Sequence, residues 1–157
     1  MNTEVQNTTS IQHDAKLLLC EGLNKSAQII FQNNKAKGFW DNERNVGELL
    51  MLVTSELGEA MEAHRKGRFA EVSNFDEALS KSRIINEDPT YTGTITPESA
   101  YAAHFKSWMK DTFEDEIADA VIRLLDLSAG LGIDLEKHIN AKVRYNETRP
   151  KLHGKLY

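Results

Sequence analysis

The chain has 157 residues and a formal net charge of −5, with 40% hydrophobic and 27% charged residues. That length suits one domain, 1–157, with a core of its own, and no run approaches the roughly 18 apolar residues of a membrane helix, so no membrane partner is expected. The acidic balance argues against nucleic acid held by its phosphates, which requires a basic surface.

In chain order, Met1 to Ser10 lacks the basic region and apolar core of a signal peptide, so a cytoplasmic location is expected. Cys20 is the single cysteine, which excludes an internal disulfide and a cysteine-built zinc site. Ile11, Ala15, Leu18, Leu19, Leu23, Ala27, Ile30 and Phe31 recur at helical spacing. They predict a first helix over 11–37, capped by Thr9 or Ser10 and ended by Gly38. Lys35 to Asp41 then reads as a turn presenting two lysines and two aromatics. Phe39 and Trp40 are placed to staple the next helix, and Trp40 is also a candidate for stacking on a substrate.

Asn45-Val46-Gly47-Glu48 has the form of a capping box and opens a helix running to about Arg65, with Gly67 as its stop. Periodicity weakens over 68–110, which reads as a long insertion between the second and third main helices. Within it, Phe75, Leu79, Ile84 and Ile85 suggest a short helix, and Thr96-Pro97-Glu98 a helix start with proline at the first position. Thr90 to Ile95 is the one stretch with an extended or hairpin character. Asp111-Thr112-Phe113-Glu114 is a further capping box, and its helix ends near Gly130 and Gly132. Asp134 caps a last helix with Leu135, Ile139 and Val143 facing inward, stopped by Pro150. Lys151 to Tyr157 is a basic, polar tail. The expected fold is all-α, four main helices in a bundle.

Chemistry enters through two pairs of acids. At about 100° per residue, Glu56 falls within the apolar stripe of Leu49, Leu52, Val53, Ala60 and Ala63, and Glu59 lies at its edge. Glu116 and Asp119 repeat the spacing on a second apolar helix. Burying an unpaired carboxylate costs several kcal/mol or more, roughly, so each acid needs a cation, a proton or a base as partner. Three readings follow. The acids lie on solvated faces or pair with residues such as Arg123; or they form a di-iron or di-manganese centre; or they hold Mg²⁺ or Mn²⁺ for hydrolysis of a nucleotide polyphosphate. The second needs Glu-x-x-His, and His64, His104 and His138 do not follow a paired glutamate at that spacing. For the third, Lys142, Asn146 and Arg149 supply a polar, cationic face at i, i+4 and i+7, although basic residues are favoured near a helix C-terminus by the dipole alone.

Ser55-Glu56-Leu57-Gly58-Glu59-Ala60 followed by Glu114-Asp115-Glu116-Ile117-Ala118-Asp119 resembles the ExxE…ExxD signature of the MazG-like, all-α nucleoside triphosphate pyrophosphohydrolases. The segments Lys37-Gly38-Phe39-Trp40 and Lys142 to Lys155, with Tyr145, Asn146, Arg149, Pro150, His153 and Gly154, are similar to other parts of that family. The resemblance implies a Mg²⁺-dependent enzyme that cleaves a nucleoside triphosphate to the monophosphate and pyrophosphate. It makes Glu56, Glu59, Glu116 and Asp119 metal ligands, one of them also serving the attacking water. Lys142 and Asn146 fall near the phosphates and sugar, Trp40 near the base, and Arg149 acts on substrate across subunits of a homodimer or homotetramer. The long connection from Glu59 to Glu116 departs from the minimal family pattern. A non-catalytic nucleotide-binding module on the same bundle is the alternative from another class.

Overall fold

The computed structural model describes residues 22–87, 93 and 95–150. Among them lie six α-helices and no strand: α1 (Leu23–Ala36), α2 (Val46–Arg65), α3 (Val72–Glu87), α4 (Pro97–Trp108), α5 (Phe113–Gly130) and α6 (Leu135–Glu147). The fold is all-α, as the periodicity predicts. The proposed caps Thr9 and Ser10, the helical positions before Gly22, most of the extended stretch at 90–95 and the tail from Lys151 lie outside the described residues. Two compact units are present, one comprising the described residues up to Asn45 with those from Ile122 onward, the other Val46–Val121.

In the first unit, α1 begins at Leu23 because Gly22 (φ 95°) takes a left-handed conformation closed to a helix interior. Ala27 and Ile30 pack on Leu125 of α5, with Leu23, Ala129 and Leu135 around them. The helix starts are joined reciprocally. The Leu23 and Asn24 amides donate to Glu136 Oε2 at 3.1 and 3.4 Å, and the Glu136 amide donates to Asn24 Oδ1 at 3.1 Å. Asp134 caps α6 as expected, accepting from the Lys137 amide at 3.1 Å and from Asn24 Nδ2 at 2.7 Å. These bonds, the side-chain one first, hold its carboxyl below the usual range.

The inward-facing set expected on α6 is only partly realised. Leu135 reaches the core, whereas Ile139 and Val143 are 43% and 54% exposed. Helical spacing identifies a shared face but not whether a neighbour covers it.

Trp40 is the staple. Its indole Nε1 donates to Asp126 Oδ1 and Oδ2 at 3.1 and 3.2 Å, and its ring meets Phe31 edge-on at 5.2 Å between centroids. Gly130 makes room for it, since a Cβ there would lie 2.3 Å from Trp40 Cη2.

In the second unit, α2 buries Val53, Glu56, Ala60 and Ala63 along one stripe. It stops at Gly67, whose φ of 65° reverses the chain. The insertion is itself ordered into helices. The expected short helix extends over 16 residues as α3, and α4 starts where predicted, with Thr96 as N-cap in a reciprocal bond pair with Ser99 and Pro97 at the first position. α3 and α4 pack through buried Phe75, which meets Tyr101 at 5.5 Å and Phe105 at 6.3 Å, and through the Ser82 Oγ···His104 Nε2 bond at 2.8 Å.

The capping box at the head of α5 is displaced by one residue from expectation. Asp111 has φ 58° and turns the chain, so Thr112 is the residue before the helix, accepting from the Asp115 amide at 3.4 Å. Asp115 in turn accepts from the Asp111 amide at 2.9 Å. Glu114, expected to complete the box, instead accepts from the Ala70 amide at 2.9 Å.

In Gly130→Ala, overpacking against Trp40 costs about 1–3 kcal/mol and alanine's helix propensity returns ~1 kcal/mol, so a net destabilisation of up to about 2 kcal/mol is expected. Urea unfolding of the two proteins checks this; equal midpoints would mean that the indole has room to move.

Candidate metal centre

Three carboxylates meet in the second unit. Glu56, Glu59 and Glu116 each place an oxygen within 4.8 Å of the others. The reason lies in the helix registers. Glu56 occupies a core position of α2, one turn before Ala60, and Glu116 does the same on α5, one turn before Ala120. Both acids are only 5% exposed. Glu59 is exposed at the rim, where Ser55 Oγ donates to its Oε1 at 3.3 Å.

Bringing these charges together shifts the titration of one of them. The Glu116 carboxyl is raised to about 7, first by burial, then by the Glu59 charge, by its hydrogen bond and charge interaction with Glu56, and by the charge of Asp115. A set of hard oxygen donors that repel one another is the chemistry that a divalent cation relieves, and oxygen-only donors suit hard cations such as Mg²⁺ or Mn²⁺. Such a centre can also draw charge from phosphate oxygens.

Asp119 lies one turn beyond Glu116 on α5 with an exposed side chain, and the three-carboxylate set does not include it. A second group, Asp111, Asp115 and Glu116, shares Glu116. Asp111 pairs with the Lys110 ammonium and Asp115 is engaged in the turn before α5, so this group is largely committed to local structure.

The remaining predicted residues lie in the first unit. Trp40 is half-buried and donates its indole hydrogen to Asp126. Lys142 and Arg149 flank one ring, with Lys142 Nζ 5.0 Å and Arg149 Cζ 5.9 Å from the Tyr145 centroid, and Asn146 is exposed on the same helix. Arg149 follows the end of α6 at Glu147 and so is not on the helical face expected of it; it and Lys142 instead meet at the Tyr145 ring.

One feature beside the carboxylates was not legible as a site. His64, Phe69 and Phe113 form a three-ring cluster. Phe69 belonged to the weakly periodic insertion and Phe113 to a capping box, so no shared period linked them.

Glu116 sets a pH dependence. Its folded-state value lies above the ordinary 4.5, so its stabilising contribution is full below about 4.5 and is lost as pH rises through about 7. Metal-free protein is expected to lose stability between pH 5 and pH 8, and Glu116→Gln to flatten that slope. Urea midpoints in chelator across this range test it; parallel slopes would place the charge conflict elsewhere.

No family model, curated protein or solved structure matches this chain.

Proposed function

We propose that the protein is a Mg²⁺-dependent nucleoside triphosphate pyrophosphohydrolase of MazG-like type, releasing a monophosphate and pyrophosphate and clearing surplus or non-standard nucleotides from the pool. The observation that carries this reading is the meeting of Glu56, Glu59 and Glu116 at 4.8 Å or less, two of them buried. Carboxylates are seldom buried together without a cation to compensate them. Glu56, Glu59 and Glu116 would hold the ion, with Mn²⁺ able to replace Mg²⁺. The chemistry supplied at such a centre is neutralisation of phosphate oxygens and activation of water.

The chain's own residues take the other roles. Asp119, exposed one turn from Glu116, suits the acid that orients the attacking water or accepts its proton. Lys142 and Arg149 offer charge to the polyphosphate and Asn146 a donor to sugar or base, roles that rest on the resemblance. Trp40 gives its indole hydrogen to Asp126 and its ring edge to Phe31, both within the first unit, and its place near the base rests on the resemblance alone.

A homodimer or homotetramer completes the proposal. Val46, Leu50, Leu57 and Met61 stand exposed along one side of α2, flanking the buried stripe. A second copy would cover them.

Purified protein incubated with a panel of NTPs and dNTPs is expected to release pyrophosphate with Mg²⁺ and none with EDTA. Glu56→Gln should remove turnover, and Asp119→Asn should lower it about 10²–10⁴-fold, both with the helical spectrum unchanged. No metal-dependent release from any nucleotide would overturn the activity, and nucleotide binding without release would make the protein a binding module. Sedimentation is expected to show a dimer or tetramer that Leu57→Lys shifts towards monomer; a monomeric parent would remove the oligomer from the proposal.

A further inference from the structure

The connection leaving α2 carries an aromatic residue whose placement packing alone does not explain. Phe69 lies between two anchored neighbours: the Phe113 amide donates to the Arg68 carbonyl at 3.0 Å, and the Ala70 amide donates to Glu114 Oε2 at 2.9 Å. The backbone on both sides of Phe69 is therefore tied to the first turn of α5. Such anchoring would serve equally well to bury the ring, yet Phe69 remains 48% exposed.

Two further rings support it. Phe69 meets His64 at 5.8 Å and Phe113 at 6.2 Å, and His64 meets Phe113 at 5.3 Å, all near-perpendicular. Edge-on contact fixes a ring without covering it as fully as parallel stacking does. The cluster is also in register with the carboxylates. Phe113 is three residues before Glu116 on α5, and His64 five after Glu59 on α2, so it begins roughly 5–8 Å along both helices from the acids. A half-open aromatic carried by two rings that lie about one to one and a half helical turns from a phosphate-directed centre fits a planar group joined to the polyphosphate through a short linker.

We propose that Phe69, held by His64 and Phe113, is a stacking shelf for the base of a nucleoside polyphosphate bound at Glu56, Glu59 and Glu116. This rests on the reading of those carboxylates as a polyphosphate-directed metal centre and adds to it the surface that recognises the nucleoside part. Stacking on a bare ring accepts any base with a π-face, so the shelf supplies affinity for nucleosides over inorganic polyphosphate rather than choice among bases.

The test is equilibrium binding, in Mg²⁺, of non-hydrolysable α,β-imido dNTPs and of inorganic tripolyphosphate to the parent, Phe69→Ala, Phe69→Leu and Phe69→Trp. The parent should bind the nucleotides more tightly than tripolyphosphate. Phe69→Ala and Phe69→Leu should weaken nucleotide binding about 5- to 150-fold, leave tripolyphosphate unchanged, and be rescued by Phe69→Trp. Phe69→Leu keeps an apolar side chain and carries the test if Phe69→Ala does not fold. Nucleotide affinity unaffected by either change would overturn the shelf, as would a parent that binds tripolyphosphate as tightly as nucleotides, which leaves the metal centre standing. If the parent binds neither probe, the polyphosphate reading falls and takes the shelf with it.

Discussion

The second unit depends on one unfavourable fact, that two carboxylates occupy core positions and a third reaches them from the rim. Each apolar stripe would pack more simply with a leucine at Glu56 or Glu116. Burial and mutual repulsion raise the Glu116 carboxyl to about 7, so the three-carboxylate group sits between two charge states near neutral pH. Small residues follow the acids along both helices. Ala60, Ala63 and Ala120 are all buried and leave space for helices to approach where long acidic side chains must fit.

The elements that lead into this centre are tied by polar bonds more than by apolar contact. Asp111 reverses the chain, Thr112 and Asp115 close the turn, and Arg68 and Ala70 are bonded to the start of α5. These links fix where α5 begins, and hence which of its residues share a level with Glu59. Registry of that kind matters because a shift of one residue turns a helix by about 100° and would carry Glu116 out of the stripe. In the first unit Trp40, Asp126 and Gly130 play a comparable part, with an indole fixed by one carboxylate and admitted by the lack of a side chain opposite.

The helices were legible because their signals are local. Thr96-Pro97 marked α4, Gly67 the end of α2, and Asp134 the start of α6, each through backbone chemistry that the residue itself dictates. Glu56 and Glu116 were legible as buried acids because each interrupts an apolar period. Which neighbour covers a helix face is not encoded locally. Ile139 and Val143 have the period of an inner face yet stand half-exposed, and Asp111 has the composition of an N-cap but turns the chain one residue early. The joining of His64, Phe69 and Phe113 depends on a connection folding back onto α5, which no single segment encodes.

The exchange of bonds between Asn24 and Glu136 has a consequence for how the first unit opens. A helix ordinarily frays from its ends, each terminus melting at little expense to the rest. Here the first amides of α1 are satisfied by a side chain from the first turn of α6, and an amide of α6 by a side chain from α1. Unwinding either start strips donors and acceptors from the other, so neither loosens alone. Amide protons at both starts should therefore exchange with solvent at one common rate, through a shared opening, although 112 residues of chain separate Asn24 from Glu136.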